Sequence, residues 1–187
     1  MTGRCVRGLA TAFVVMVMVT HPIAAQDTPK TPTMASQLAQ WFQMIEQSFV
    51  GVADAMPEDK WSFAPKDGAF QGVRTFGEQV KHVACANYAF FMEIERKTPP
   101  DLCEKGGPDP AKTKAEVMEY LRRSFKYGED VMAGLTPLNA LDPAGGPYGG
   151  ESTRLGLSTL AIWHASDHYG QMVVYLRMNG IVPPASR

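Results

Sequence analysis

Four stretches of this chain repeat apolar residues at helical intervals, and the three gaps between them are rich in proline and glycine. This alternation constrains the fold most, because a 3.6-residue period buries one face of a helix while Pro and Gly clusters end it. In the first stretch Met34, Leu38, Trp41, Phe42, Ile45, Phe49 and Met56 share a face, with Thr33 as the N-cap. Residues 57–74 hold Pro65, Gly68 and Gly72 and read as a loop. Thr75-Phe-Gly-Glu78 has the capping-box form and starts a second helix that runs to about Glu95.

Residues 98–110 contain four prolines and two glycines and cannot continue that helix. Thr113-Lys-Ala-Glu116 is a second capping box, and Val117, Leu121, Phe125, Met132 and Leu135 form the stripe of a third helix. Residues 136–151 are again a loop. Ser152 or Thr153 can cap a fourth helix, which ends near Asn179 where Gly180 supplies the left-handed position and Pro183-Pro184 block a restart. No strand-length alternation is present, so the expected class is an all-α helical bundle. Each connection exceeds ten residues, so spacing alone does not set the topology.

The N-terminus reads differently. Arg4 and Arg7 precede an apolar run of about ten residues, Leu9 to Val19, and Ile23-Ala24-Ala25 ends in small residues, the pattern of a secretory signal peptide. The expected organisation is a signal over 1–25, a linker over 26–33 and one domain over 34–187. The run falls short of the roughly 20 residues that span a membrane, so no stable membrane anchor is expected. Export to the periplasm or beyond is the expected localisation. Residues 1–25 carry two arginines and no acid, which takes the formal net charge from −1 to about −3 after cleavage. With no basic cluster, nucleic acid is not an expected partner.

Three histidines lie beyond the signal, each on an expected helix: His82 on the second, His164 and His168 on the fourth. A spacing of four brings His164 and His168 to one helix face, where two imidazoles can grip one ion. A stable site needs a third ligand, and His82 is the only remaining imidazole. Gln171 shares the His164/His168 face and is a candidate to orient a bound water or substrate. Glu78, one turn before His82, is a candidate general base that also has capping duty. Asp167 is a candidate outer partner for a ligand imidazole. Trp41, Trp163, Phe90 and Phe91 are read as core or pocket wall, and the methionines beyond the signal as packing.

The segment Trp163-His-Ala-Ser-Asp-His-Tyr-Gly-Gln171, with Tyr175-Leu-Arg177 and Asn179 to Pro184 after it, resembles the last helix of the DinB/YfiT-like superfamily. Lys81-His-Val-Ala84 is similar to the family's first ligand, and Trp61 to Gly72 to the loop before it. The resemblance spans roughly 37–184. It implies a four-helix bundle of up-down-down-up order and a three-histidine site, His82, His164 and His168, holding nickel or zinc. Tyr169 departs from the family pattern, where an arginine is common.

The family includes thiol S-transferases and thiol-dependent isomerases that use cytoplasmic thiols, which export disfavours here. Two functional classes follow: a metal-dependent hydrolase or transferase acting on a small molecule, or a non-catalytic metal-stabilised binding protein. Homodimer formation is left open. Cys85 and Cys103 are expected to be either linked or both buried as thiols. A third option makes Cys85 an extra ligand.

Overall fold

The computed structural model describes residues 31–146 and 151–187. The signal-peptide reading, residues 1–25, falls outside the described residues. Four long helices carry the described fold: α1 (Met34–Ala55), α2 (Phe76–Ile94), α3 (Lys114–Ala133) and α4 (Arg154–Met178). Each begins at a threonine. Thr75 Oγ1 and Glu78, and likewise Thr113 Oγ1 and Glu116, form reciprocal capping boxes, which satisfy amides that helix starts leave orphaned. Thr33 forms its box with Ser36 in place of an acid, and Thr153 Oγ1 accepts from Gly156 N at 3.0 Å.

Ends that meet reveal the topology. Lys114, at the start of α3, donates to the carbonyls of Asp54 and Met56 at the end of α1, so these helices run antiparallel. Lys81, early in α2, donates to the Ala111 carbonyl just before α3 at 2.9 Å, so α2 and α3 run parallel. Tyr175, late in α4, donates to the Arg74 carbonyl just before α2 at 3.0 Å, so those two are antiparallel. Directions are therefore up-down-down-up, and each helix packs on two neighbours in the ring order α1, α3, α2, α4.

The core is aromatic at its centre. Phe42 of α1 meets Phe91 of α2 edge-on at 5.3 Å and Phe125 of α3 at 5.0 Å, geometries that suit the aromatic quadrupole. Gly128 makes that approach possible, because a β-carbon there would collide with both Phe91 and Phe42. Leu121, Met132, Leu157, Met172 and Leu176 are also fully buried.

Three details differ from the sequence reading. Trp41 and Trp163 are 56% and 60% exposed, not core. Each sits one residue from an inward side chain, Phe42 and His164, and one helical step turns a side chain about 100° away. Met44 and Met178 are likewise exposed and do not serve packing. A two-residue antiparallel ladder, β1 (Pro143–Ala144) with β2 (Ser152–Thr153), pairs Pro143 with Thr153 and staples the connection into α4. It is too short to register as an alternating run.

Candidate metal centre

The antiparallel contact of α2 with α4 brings His82 against His164 and His168. His82 Nε2 lies 3.1 Å from His164 Nε2, and one ligand atom from each of the three residues falls within 4.8 Å of the others. The ring centroids of His164 and His168 are 4.5 Å apart, which realises the expected four-residue pairing. Phe90, one helical turn or more beyond His82, closes on His164 edge-to-face at 5.4 Å. All three histidines are buried.

Burial keeps these rings neutral. It pushes His164 down to about 3 and His168 down to about 4, and neighbouring imidazoles add to both shifts because adjacent positive charges repel. His82 is also lowered by burial, against the opposing pull of its hydrogen bond to a carbonyl. The Arg74 guanidinium lowers all three, and Glu104, paired with Arg74, works the other way on His82 and His168. Neutral imidazole is the form that ligates metal.

His82 alone has its second nitrogen held. Its Nδ1–H donates to the Cys103 carbonyl at 2.7 Å, and since a carbonyl can only accept, Nε2 carries the lone pair. His164 Nδ1 and His168 Nδ1 are buried without a hydrogen-bond partner. Buried polar nitrogens of that kind carry a desolvation cost. Three nitrogens bound at about 2.0–2.1 Å to one ion lie roughly 3 Å apart, a spacing that His82 and His164 already show. The donor set fits a divalent transition metal.

The other candidates separate. Gln171 lies beside the histidines' helix face: its amide donates to Asp167 Oδ2 at 2.9 Å and its oxygen accepts from Gln79 at 2.9 Å. Asp167 thus holds Gln171, not a ligand imidazole. Glu78 is exposed, with its carboxylate accepting from Thr75 N at 2.7 Å and Thr75 Oγ1 at 2.8 Å. It lines a cavity with Trp61, Lys81 and Lys114 that includes none of the histidines. Cys85 is bonded to Cys103, which removes it as a ligand.

Sequence reasoning missed the Cys103 carbonyl, because a backbone acceptor leaves no residue signature. Gln79 was missed too, although its position one turn before His82 places it on the same helix face. Arg74 and Glu104 come from connections, where no periodicity marks a site.

An all-α up-down-down-up bundle with three buried histidines on its second and fourth helices is the class these features define. A sequence profile of the DinB superfamily matches residues 42–172, and the chain belongs to that family. The fold is similar to that of a DinB-like protein from Bacillus cereus, with a TM-score of 0.63 and 18% identity over 79% of this chain and 93% of that one. A DinB-like protein from Bacillus subtilis gives 0.61 and 18% over 77% and 92%. A conserved protein from Enterococcus faecalis gives 0.58 and 15% over 77% and 95%. Comparison with curated proteins gives no match.

Proposed function

We propose that the protein is an exported divalent-metal protein that holds nickel or zinc on His82, His164 and His168 and acts as a hydrolase or transferase on a small molecule. One observation carries the metal assignment: three buried, neutral imidazoles from two helices converge, with one ligand atom of each within 4.8 Å of the others. The Cys85–Cys103 bond supports export, because disulfides persist in oxidising compartments. No described helix is long and apolar enough to cross a membrane.

When bound, the ion would supply Lewis acidity, drawing charge from a carbonyl, phosphoryl or water oxygen. Three neutral ligands leave its double charge undiminished. The protein's own groups arrange the approach. Asp167 fixes the Gln171 amide, and Gln79 donates to the Gln171 oxygen, so this chain of amides can orient a polar substrate group beside the histidines. Phe90 walls the His164 side against water.

A second reading is favoured by one finding: Glu78 is engaged in its cap and lines a cavity without the histidines, so this candidate base does not stand at them. In that reading the ion stabilises the bundle or holds a ligand without turning it over. Elemental analysis of the mature protein tests the shared claim, with about one nickel or zinc per chain expected. A screen of the loaded protein against small esters, amides and phosphoesters separates the readings: turnover lost with His164→Ala supports the enzyme, and none across the panel supports the binding protein.

A further inference from the structure

One covalent bond sits next to the single outer hydrogen bond of the metal centre. Cys85 lies three residues after His82 on α2, and Cys103 opens the short turn Cys103–Lys105. The Cys103 carbonyl accepts the His82 Nδ1–H at 2.7 Å, while its sulfur is bonded to Cys85 with the Cα atoms 5.2 Å apart. One residue therefore provides both the tether and the acceptor.

The other two histidines have no such support, since His164 Nδ1 and His168 Nδ1 find no partner among the described residues. Fixing the outer nitrogen of a ligand histidine sets both its tautomer and its ring direction. The turn that performs this is shaped by three backbone hydrogen bonds of its own, Lys105 and Gly107 N–H to the Leu102 carbonyl and Gly106 N–H to the Cys103 carbonyl, but none of these reaches α2. Leu102, exposed and just before Cys103, has φ 60, a region L side chains disfavour. Gly107 packs so closely that a β-carbon would strike the Cys85 sulfur. A further tie from the turn to the start of α2 is Arg74, which pairs with the exposed Glu104 carboxylate and donates from Nε to the Glu104 carbonyl at 3.1 Å.

We propose that the Cys85–Cys103 disulfide positions the metal centre, holding the Cys103 carbonyl against His82 so that its Nε2 stays turned toward His164 and His168. The bond makes Cys103 a positioning residue. Breaking it is a two-electron step with a dithiol as reductant: one thiolate attacks a sulfur of the pair, and the second thiol displaces the mixed disulfide. Cys85 and Cys103 take up the two protons as thiols, and the dithiol leaves as a cyclic disulfide. This inference rests on the metal reading, but its test does not depend on it alone.

The full mature chain is compared before and after reduction by dithiothreitol, which is then removed without air. In the metal-free protein, imidazole nitrogen-15 spectra are expected to show His82 as the Nδ1–H tautomer while the disulfide is intact, and mixed tautomers after reduction. Titration with Ni²⁺ or Zn²⁺ alone is expected to show affinity about tenfold weaker after reduction, the lower end for losing an outer-shell partner. Circular dichroism checks that helix content is kept. Leu102→Gly retains the disulfide, relieves the left-handed residue and is expected to leave both readouts unchanged. A His82 tautomer indifferent to reduction, or a shift in Leu102→Gly as large as that on reduction, overturns the proposal. An oxidised protein that binds neither metal overturns the metal reading itself, a result the tautomer spectra do not share.

Discussion

His82 and His164 meet Nε2 to Nε2 at 3.1 Å although 82 residues separate them in the chain. With His82 protonated on Nδ1, the single proton between these nitrogens belongs to His164, and it must shift to His164 Nδ1 when an ion takes its place. Because burial already keeps all three rings neutral, metal uptake near neutral pH is expected to release no protons from them, and calorimetry in buffers of different ionisation heat would then give an enthalpy that does not change with the buffer.

Removing one of three ligands leaves an ion mostly to water. His164→Ala is expected to lose most of the bound nickel or zinc while keeping its helix content. Elemental analysis finding full metal in that variant would show that the ion is held elsewhere.

Acid should loosen the metal-free fold. His164 and His168 sit at about 3 and about 4 against an ordinary 6.5, so from there up to 6.5 the unfolded chain binds more protons than the folded one. Their neutral burial is fully tolerated above pH 6.5, and stability falls as pH drops through the window toward 4. Chemical denaturation of the apoprotein across that range is the measurement. A flat midpoint would mean that these rings are not held neutral.

Two adjacent positions on α1, Trp41 and Phe42, supply a packing test. Phe42→Ala should cost about 3–5 kcal/mol, the usual loss for a buried phenylalanine, since Phe42 is fully buried against Phe91 and Phe125. Trp41→Ala, one residue earlier and 56% exposed, should stay within about 0.5 kcal/mol, as surface changes do. Urea midpoints for the two variants decide it.

Gln171 and Glu78 should part company. Gln171→Ala breaks the link between Asp167 and Gln79, so any turnover found in the substrate screen is expected to fall about tenfold or more with metal content unchanged. Glu78→Ala removes half of the Thr75 box and is expected to cost about 1 kcal/mol of stability, with turnover kept. Lost turnover at normal stability in Glu78→Ala would restore it as a base.

The helices were legible because their starts carry side-chain signals: Thr75 with Glu78 and Thr113 with Glu116 mark boundaries that Pro and Gly then close. The site was legible only in part. A spacing of four paired His164 with His168, whereas His82 joined them only as the last imidazole left and through the family resemblance, because nothing in a linear pattern says that α2 lies against α4. The outward turn of Trp41 and Trp163 escaped notice because neighbouring positions on a helix differ by about 100°, and size alone suggested burial. The bond between Cys85 and Cys103 lay at the limit of reach arguments, which count residues without knowing where the chain turns back.

The parallel run of α2 and α3 obliges the chain between them to travel back along α2, a helix of 19 residues and so about 28 Å. A simple antiparallel hairpin would need no such return. That strap passes His82, contributes Cys103 and Glu104, and forms no part of the helix-on-helix packing. Length and composition can therefore vary on either side of the Cys103–Gly107 turn to reshape the entrance to the histidines, while the bundle and that turn, which together fix those histidines, stay as they are.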